Sequence, residues 1–455
     1  MWTQLKRLWN SFLYLFGLSK KTASKGLLIG YQVVEEVRTS RKLYIPHIRR
    51  PEHVALLGVT GSGKTTLLKS MIAQDIQQSN GFFAIDLHGD ITPAILSVVA
   101  HEEQKLKQDL SSRLVVINPL DHDYSVCLNL LDSRPDNIAL AVTETVALLK
   151  SFWHLEYFGP RTEELLRNAV WVLSENKLTL VDLAEFLTNA GFRTSLVLKC
   201  KNPEVRQFFE QRFNTHSRAM QTVMREAILN KVTAFSMDPH IRHLVGNPES
   251  SFNFLDALDQ GLWVIASLNI GRLGGSAQLL AGLLLTKIRT SVFARRNSKL
   301  FTIYADEVQN LLSSESGLES LLAEARKFNT SLCISHQHLG QLTTRMRTAI
   351  DSIGSHIYFR LSPMDAKGVA SSLSLPKQYQ ETLSNFPVGS ALLKQGNNEA
   401  KAVEGLPFRR PLTNPSDLLF RSRQIWSKPR ELIEAGITAR HSKDLINKEP
   451  LNEWD

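Results

Sequence analysis

The sequence predicts an α/β fold: a mostly parallel central sheet with an all-α domain inserted into it. Three observations predict it. Continuous apolar runs recur at Val54–Leu57, Gly81–Asp86, Arg113–Pro119, Leu262–Leu268, Leu300–Glu307, Ser331–Ser335 and His356–Arg360, and strands without polar alternation belong to a sheet covered on both faces. Stretches of helical period separate these runs, as crossovers between parallel strands require. From about Pro135 the strand signals stop and helical patterns follow one another to about Gly246.

Length and composition set the frame. The chain has 455 residues, 43% of them hydrophobic and 21% charged, enough for a large core and more than one domain. Cys127, Cys200 and Cys333 are scattered and odd in number, with no zinc or disulfide spacing, which indicates a reducing compartment. The net charge is +9, and residues 1–50 alone hold ten Lys and Arg against Glu35 and Glu36. A basic arm of this kind suits nucleic acid or an anionic membrane surface, or simply a solvated segment.

Taken in order, residues 1–50 form the basic arm. Trp2, Leu5, Trp9, Phe12 and Phe16 share one helical face beside Lys6, Arg7 and Lys20, the composition of an interfacial amphipathic helix. A helix that binds a protein partner, or packs on the protein's own body, has the same composition. No run reaches the ~20 apolar residues of a membrane span. Short strands follow at Gly26–Tyr31 and Arg41–Pro46. Residues 51–134 form the first part of the sheet domain. Residues 135–246 form the inserted domain, with helical patterns at Asp136–Trp153, Arg161–Glu175, Leu180–Ala190, Pro203–Phe213 and Ala219–Ser236. Residues 247–408 resume the sheet, with helices at Gln278–Arg295, Leu318–Phe328, Leu339–Ile350 and Asp365–Leu373. A hairpin pairs Ser390–Lys394 with Ala400–Glu404 across Gly396-Asn397-Asn398. Residues 409–455 read as a polar tail, with a helix only at Lys428–Gly436.

The chemistry centres on Gly58-Val59-Thr60-Gly61-Ser62-Gly63-Lys64-Thr65, followed by Thr66. It lies between a strand and a helix, the context that the G-x-x-x-x-G-K-[ST] pattern requires. Glycines let backbone N–H groups approach phosphate oxygens, and the helix N-terminus adds a positive dipole end. Lys64 is placed for the β- and γ-phosphates and Thr65 for Mg²⁺. Gly58, Thr60, Gly61, Ser62, Gly63, Lys64, Thr65 and Thr66 are therefore the expected nucleotide-binding residues, with ATP and Mg²⁺ as ligands. Phe301–Glu307 ends in two carboxylates at the C-terminal edge of the sheet, where such folds keep their ligands. Asp306 is the expected Mg²⁺ ligand beside Thr65, and Glu307 the base that polarises water.

Five further features carry weaker signals. Arg326, in Ala325-Arg326-Lys327-Phe328, is either a cation favouring a helix C-terminus or an arginine that reaches a neighbouring subunit's γ-phosphate. Gln337, in Ser335-His336-Gln337-His338, is a polar group placed to sense that phosphate or to orient water. His336 and His338 lack a third metal ligand. Arg360 faces phosphate or forms a structural ion pair, and Arg272, in Gly271-Arg272-Leu273-Gly274-Gly275, lies on a DNA-gripping loop or an ordinary surface loop.

Together, the phosphate loop, Ile303–Asn310, Glu324–Phe328 and Ser335–Leu342 resemble the HerA–FtsK class of ring ATPases. Ile85–Asp90 and Phe158–Glu163 make the chain most similar to its conjugative coupling-protein branch in type IV secretion. The resemblance spans residues 50–408 and implies a RecA-like ATPase core in a hexameric, ATP-driven DNA translocase. It also implies Lys64 and Thr65 on phosphate and Mg²⁺, the acidic pair Asp306 and Glu307, Gln337 as sensor, and Arg326 acting in trans. Relaxase or secretion-channel proteins are the implied partners. The departure is the lack of N-terminal transmembrane helices, which implies a cytoplasmic protein, with peripheral membrane contact through residues 1–20. It also leaves an alternative: a soluble DNA-processing or regulatory ATPase of the same class with no secretion channel.

Overall fold

The computed structural model describes residues 26–132, 138–152, 159–296, 299–308 and 315–442. The amphipathic face of residues 2–16 lies outside the described residues. Among the described residues, eleven strands form one sheet in the order β2-β1-β12-β11-β10-β3-β9-β8-β4-β7-β5. These are β1 (Leu27–Val34), β2 (Val37–Ile45), β3 (Val54–Leu57), β4 (Gly81–Asp86), β5 (Leu114–Ile117), β7 (Trp263–Ser267), β8 (Phe301–Ala305), β9 (Thr330–His336), β10 (Ser355–Tyr358), β11 (Ser390–Gln395) and β12 (Lys401–Gly405). The run from β10 to β5 is parallel throughout. β11, β12, β1 and β2 extend it as an antiparallel wing.

The parallel strands are buried on both faces: every residue of β3, β4, β8 and β9 is buried. The wing alternates more and its outer strand β2 is largely exposed, as an antiparallel edge permits. β9 stands between β3 and β8. The ends of these three strands therefore form one short row at the C-terminal edge.

Helix Lys64–Gln77 covers one face of the sheet, and a buried ion pair anchors it. Arg50 Nη1 and Nη2 meet Asp75 Oδ1 and Oδ2, both at 2.6 Å, with neither side chain exposed. Tyr304 Oη donates to Asp75 Oδ2 at 2.6 Å, and Arg50 Nη2 donates to Thr302 Oγ1 at 2.7 Å. The segment before β3, the phosphate-loop helix and β8 are thus locked together. Removing one partner of such a pair leaves a buried charge and costs about 3–5 kcal/mol.

On the other face the apolar core runs from Ile85, Val115 and Val264 into Leu165, Val170, Phe186 and Phe209 without a break. The helices there include Ile138–Phe152, Pro160–Glu175, Leu183–Thr188, Pro203–Gln207 and Arg218–Met237. Ala190–Lys199, Pro239–Val245, Phe254–Gln260 and Gln378–Asn385 add helices absent from the sequence reading. Side chains of Asn189, Asp238 and Asn253 cap the first three. The helix expected at Leu339–Ile350 begins instead at Thr344. Met346 N donates to Thr343 Oγ1 at 3.3 Å, and that cap fixes the start. Ile270–Leu273 is a short helix rather than a loop around Arg272.

The largest correction is at the C-terminus. Residues expected as a polar tail form helices Ser416–Trp426 and Arg430–Ser442. Between them β13 (Lys428–Pro429) pairs antiparallel with β6 (Tyr124–Ser125). Ser422 Oγ donates to Leu114 O at 2.6 Å, and Arg440 Nε meets Asp182 Oδ1 at 3.0 Å. Polar bonds to distant residues dominate this docking. Leu418, Ile433 and Ile437 are the fully buried apolar residues of these helices, with Trp426 partly buried against the core, so the sequence shows little period.

Candidate active site

The phosphate loop leaves β3 and turns into helix Lys64–Gln77. Gly61 and Gly63 have φ of +75° and +113°, values that L side chains adopt only under strain. Val59 N donates to Arg360 O at 2.9 Å, and Gly389 N donates to Ser62 O at 3.0 Å. The loop is thus braced by the turns that follow β10 and precede β11. Gly389 gave no signal in the sequence, because its role exists only through this packing. The helix has no side-chain N-cap, so its first-turn N–H groups remain available to an anion. The Ser62 hydroxyl is buried and makes no hydrogen bond within the protein. Thr60 and Thr66 lie exposed along the loop and helix start. Beside them a cavity of about 360 Å³ is lined by Gly63, Thr66, Phe359, Val388 and Leu406.

Lys64 Nζ donates to Gly58 O at 2.6 Å and to Val59 O at 3.1 Å. Burial lowers its pKa, while Asp306 and Glu307 pull the other way. Thr65 Oγ1 donates to Asp306 Oδ2 at 2.7 Å, and Ser335 Oγ donates to Asp306 Oδ1. Thr65 and Asp306 come from different strand ends yet meet as the residue pair expected to hold a divalent cation. A hydroxyl and a carboxylate are oxygen donors of the kind Mg²⁺ accepts. Among the described residues no cluster of three or more His, Cys, Asp or Glu could hold a metal ion. His336 is buried with its pKa pushed down to about 4 by burial, and His338 pairs with Asp365 at 3.4 Å.

Glu307 has φ of +51°, which costs a non-glycine residue about 1–3 kcal/mol. Its N–H donates to Asp306 Oδ1 at 3.1 Å and Ser335 Oγ at 3.3 Å, which hold the turn. Gln337 Nε2 donates to Glu307 Oε1, and Thr60 Oγ1 donates to Gln337 Oε1 at 3.1 Å. Gln337 therefore links the phosphate loop to the acidic residue, because β9 lies between the strands that carry them. His88 Nε2 lies 2.5 Å from Glu307 Oε2. The sequence reading gave neither His88 nor Ser335 a role. Ser335 sits near the end of β9 and His88 in the turn after β4, and only the pairing of β4 with β8 and of β8 with β9 brings them to the site.

Arg326 lies elsewhere. It precedes β9, at the sheet edge opposite the phosphate loop, and its exposed guanidinium pairs with Glu52 at 3.3 Å. Arg360 sits beside the loop through its carbonyl. Arg272 is exposed near the end of β4, where Ile270 N donates to Leu87 O at 2.7 Å.

Several solved structures share this fold. The chain is similar to the bacterial conjugative coupling protein TrwBdeltaN70 in its unbound monoclinic form. The identity is 16% over 85% of this chain and 92% of that one, with a TM-score of 0.57. It is similar to the plasmid coupling protein TrwB in complex with ADP and Mg²⁺ at 16% identity, over 87% of this chain and 92% of that one, with a TM-score of 0.58. VirB4 of Thermoanaerobacter pseudethanolicus matches at 14% identity over 85% of this chain and 97% of that one, with a TM-score of 0.54. At these identities the likeness is one of fold, a RecA-like P-loop architecture. No curated protein matches the chain by similarity. The family model described as the type IV secretion-system coupling protein DNA-binding domain matches residues 38–373. With that match over most of its length, the chain belongs to the type IV secretion-system coupling-protein family.

Proposed function

We propose that the chain is an ATP-driven DNA translocase of the coupling-protein type, working as a ring with its sites between subunits. The observation that carries it is the convergence of Lys64, Thr65, Asp306, Glu307 and Gln337 from three neighbouring strand ends. The N–H groups of the phosphate loop and Lys64 hold the triphosphate. Thr65 and Asp306 would hold Mg²⁺, which would supply positive charge against the phosphates. Glu307 accepts the proton of the attacking water, and Gln337, bonded to both Thr60 and Glu307, senses the γ-phosphate. The cavity beside Gly63 and Thr66 takes the nucleoside.

Arg326 acts in trans. Its place on the edge opposite the phosphate loop is what a head-to-tail ring needs, with one face of each protomer completing the site of the next. TrwB's description as a conjugative coupling protein and the family's DNA-binding domain favour DNA as the moved polymer. Among the described residues no helix is long and apolar enough to cross a membrane. Residues 1–20, whose apolar residues fall on one helical face beside Lys6, Arg7 and Lys20, are the segment suited to contact with a membrane surface.

The test is ATP turnover with no DNA, single-stranded DNA and duplex DNA, beside Lys64→Ala. The expected result is several-fold stimulation by DNA that is lost in Lys64→Ala. Lys64-dependent turnover indifferent to both DNA forms at low salt would overturn the translocase and leave a regulatory ATPase.

A further inference from the structure

The Glu307 carboxylate is engaged from two sides. Gln337 donates to Oε1, and His88 in its Nε2–H form donates to Oε2 at 2.5 Å. Gln337 belongs to the row of strand ends that forms the site. His88 does not: it lies in the turn after β4, and its side chain is partly exposed.

That turn is built as a rigid unit. The Asp86 carboxylate accepts from Gly89 N at 2.8 Å, Ile91 N at 3.1 Å, Thr92 N at 2.7 Å and Thr92 Oγ1 at 2.6 Å. The unit is tied in turn to a second segment. Leu268 N donates to Asp86 O at 2.8 Å, and Ile270 N donates to Leu87 O at 2.7 Å. A Cβ on Gly89 would lie 3.1 Å from Asn269 Nδ2, so the two segments are in close contact. The second segment carries exposed Arg272 and ends at exposed Gly274 and Gly275, with φ of +54° at Gly274. An exposed cation is thus two hydrogen-bonded segments away from the carboxylate that must accept a proton.

We propose that His88 is a positioning residue that restrains the Glu307 carboxylate, and that DNA held at Arg272 relieves the restraint through the Asn269–Gly275 segment. The inference rests on the ATPase reading above. A carboxylate oxygen that accepts from a protein donor has fewer lone pairs for water. Withdrawing His88 removes one donor from Oε2 on the side away from Gln337, which stays as the link to the phosphate loop. DNA drives the change only by binding Arg272 better when the segment is displaced. Hydrolysis without DNA is then slow by construction, so the protein does not consume ATP until there is a strand to move.

The experiment uses the full chain and measures kcat and KM for ATP, without DNA and with saturating single-stranded or duplex DNA. In His88→Ala, DNA-free kcat should rise several-fold, KM should stay within about twofold, and the DNA-stimulated to DNA-free ratio should fall toward one. His88→Gln, which can still donate to a carboxylate, should keep a ratio nearer that of the wild type. Arg272→Ala should lower the ratio in the wild type and have no further effect in His88→Ala, the pattern of two residues in one path. Equal loss of both rates in His88→Ala, with the ratio preserved, would show that His88 only holds Glu307 in its working place and would overturn the restraint. So would a wild type that hydrolyses ATP but ignores DNA. A wild type without Lys64-dependent turnover would overturn the ATPase reading and the restraint with it.

Discussion

His53 is buried between two backbone groups. Leu332 N donates to Nδ1 at 3.0 Å, and Nε2 donates to Leu322 O at 3.1 Å. Burial pushes its pKa down to about 4; the bond to Leu322 opposes this and nearby Arg326 adds to it. The folded value lies below the unfolded one, so the folded protein binds fewer protons. The stabilisation is whole above pH 6.5 and is lost as pH falls from there toward 4, with about 3 kcal/mol at stake. Denaturant midpoints at pH 7.5 and pH 4.5 should differ, and His53→Gln should shrink the difference. An unchanged difference would refute the assignment. Buried His336 adds a similar slope, so the variant removes part of it. At this scale the sequence was legible where chemistry lies within a few residues, as in Gly58–Thr65 and Asp306-Glu307. It was illegible where one residue acts across strands. His53, His88 and Ser335 are single polar residues whose partners are fixed by register, which no local pattern encodes.

The C-terminal helices make the same point for elements. Sequence periodicity finds an element that buries an apolar stripe. Helix Arg430–Ser442 buries Ile433 and Ile437 and otherwise docks by polar bonds, with Arg440 and His441 on Asp182 and Arg242 on Glu434. Two buried positions do not make a detectable period. The long strands and helices around the site, by contrast, were legible because each buries a full face. Ile437 contacts the turn at Gly246, and Ile437→Ala should cost about 2–5 kcal/mol. The helix should then detach before the sheet unfolds, and trypsin should cut within 409–442 faster than in the wild type. Uniform digestion kinetics in both proteins would show that the segment is not held by this contact.

For the whole molecule, the sequence disclosed a class of sheet but not its order. Continuous apolar strands identify a parallel sheet, but nothing in them says that β9 intervenes between β3 and β8. That order is what brings Gln337 to the phosphate loop and leaves Arg326 at the far edge. The separation of Arg326 from Lys64 predicts complementation between subunits. Lys64→Ala and Arg326→Ala should each be inactive alone. Mixed before assembly, they should regain turnover at the interfaces that join an intact loop to an intact arginine, about a quarter of them if mixing is random. No recovery at any ratio would place the arginine's role within its own subunit.

The pairing of β3 also bears on how the chain is made. The strand that launches the phosphate loop lies between β9 and β10. Its neighbours in the sheet are therefore synthesised roughly 280 residues after it, which at ~5–20 residues per second is tens of seconds of translation. Through that interval Val54–Leu57, apolar on both faces, has neither of its hydrogen-bonding partners. A ribosome stalled before β9 would hold a loop with its full signature but neither of the strands that flank β3 in the sheet. The nascent chain meanwhile presents an open strand edge for others to pair with.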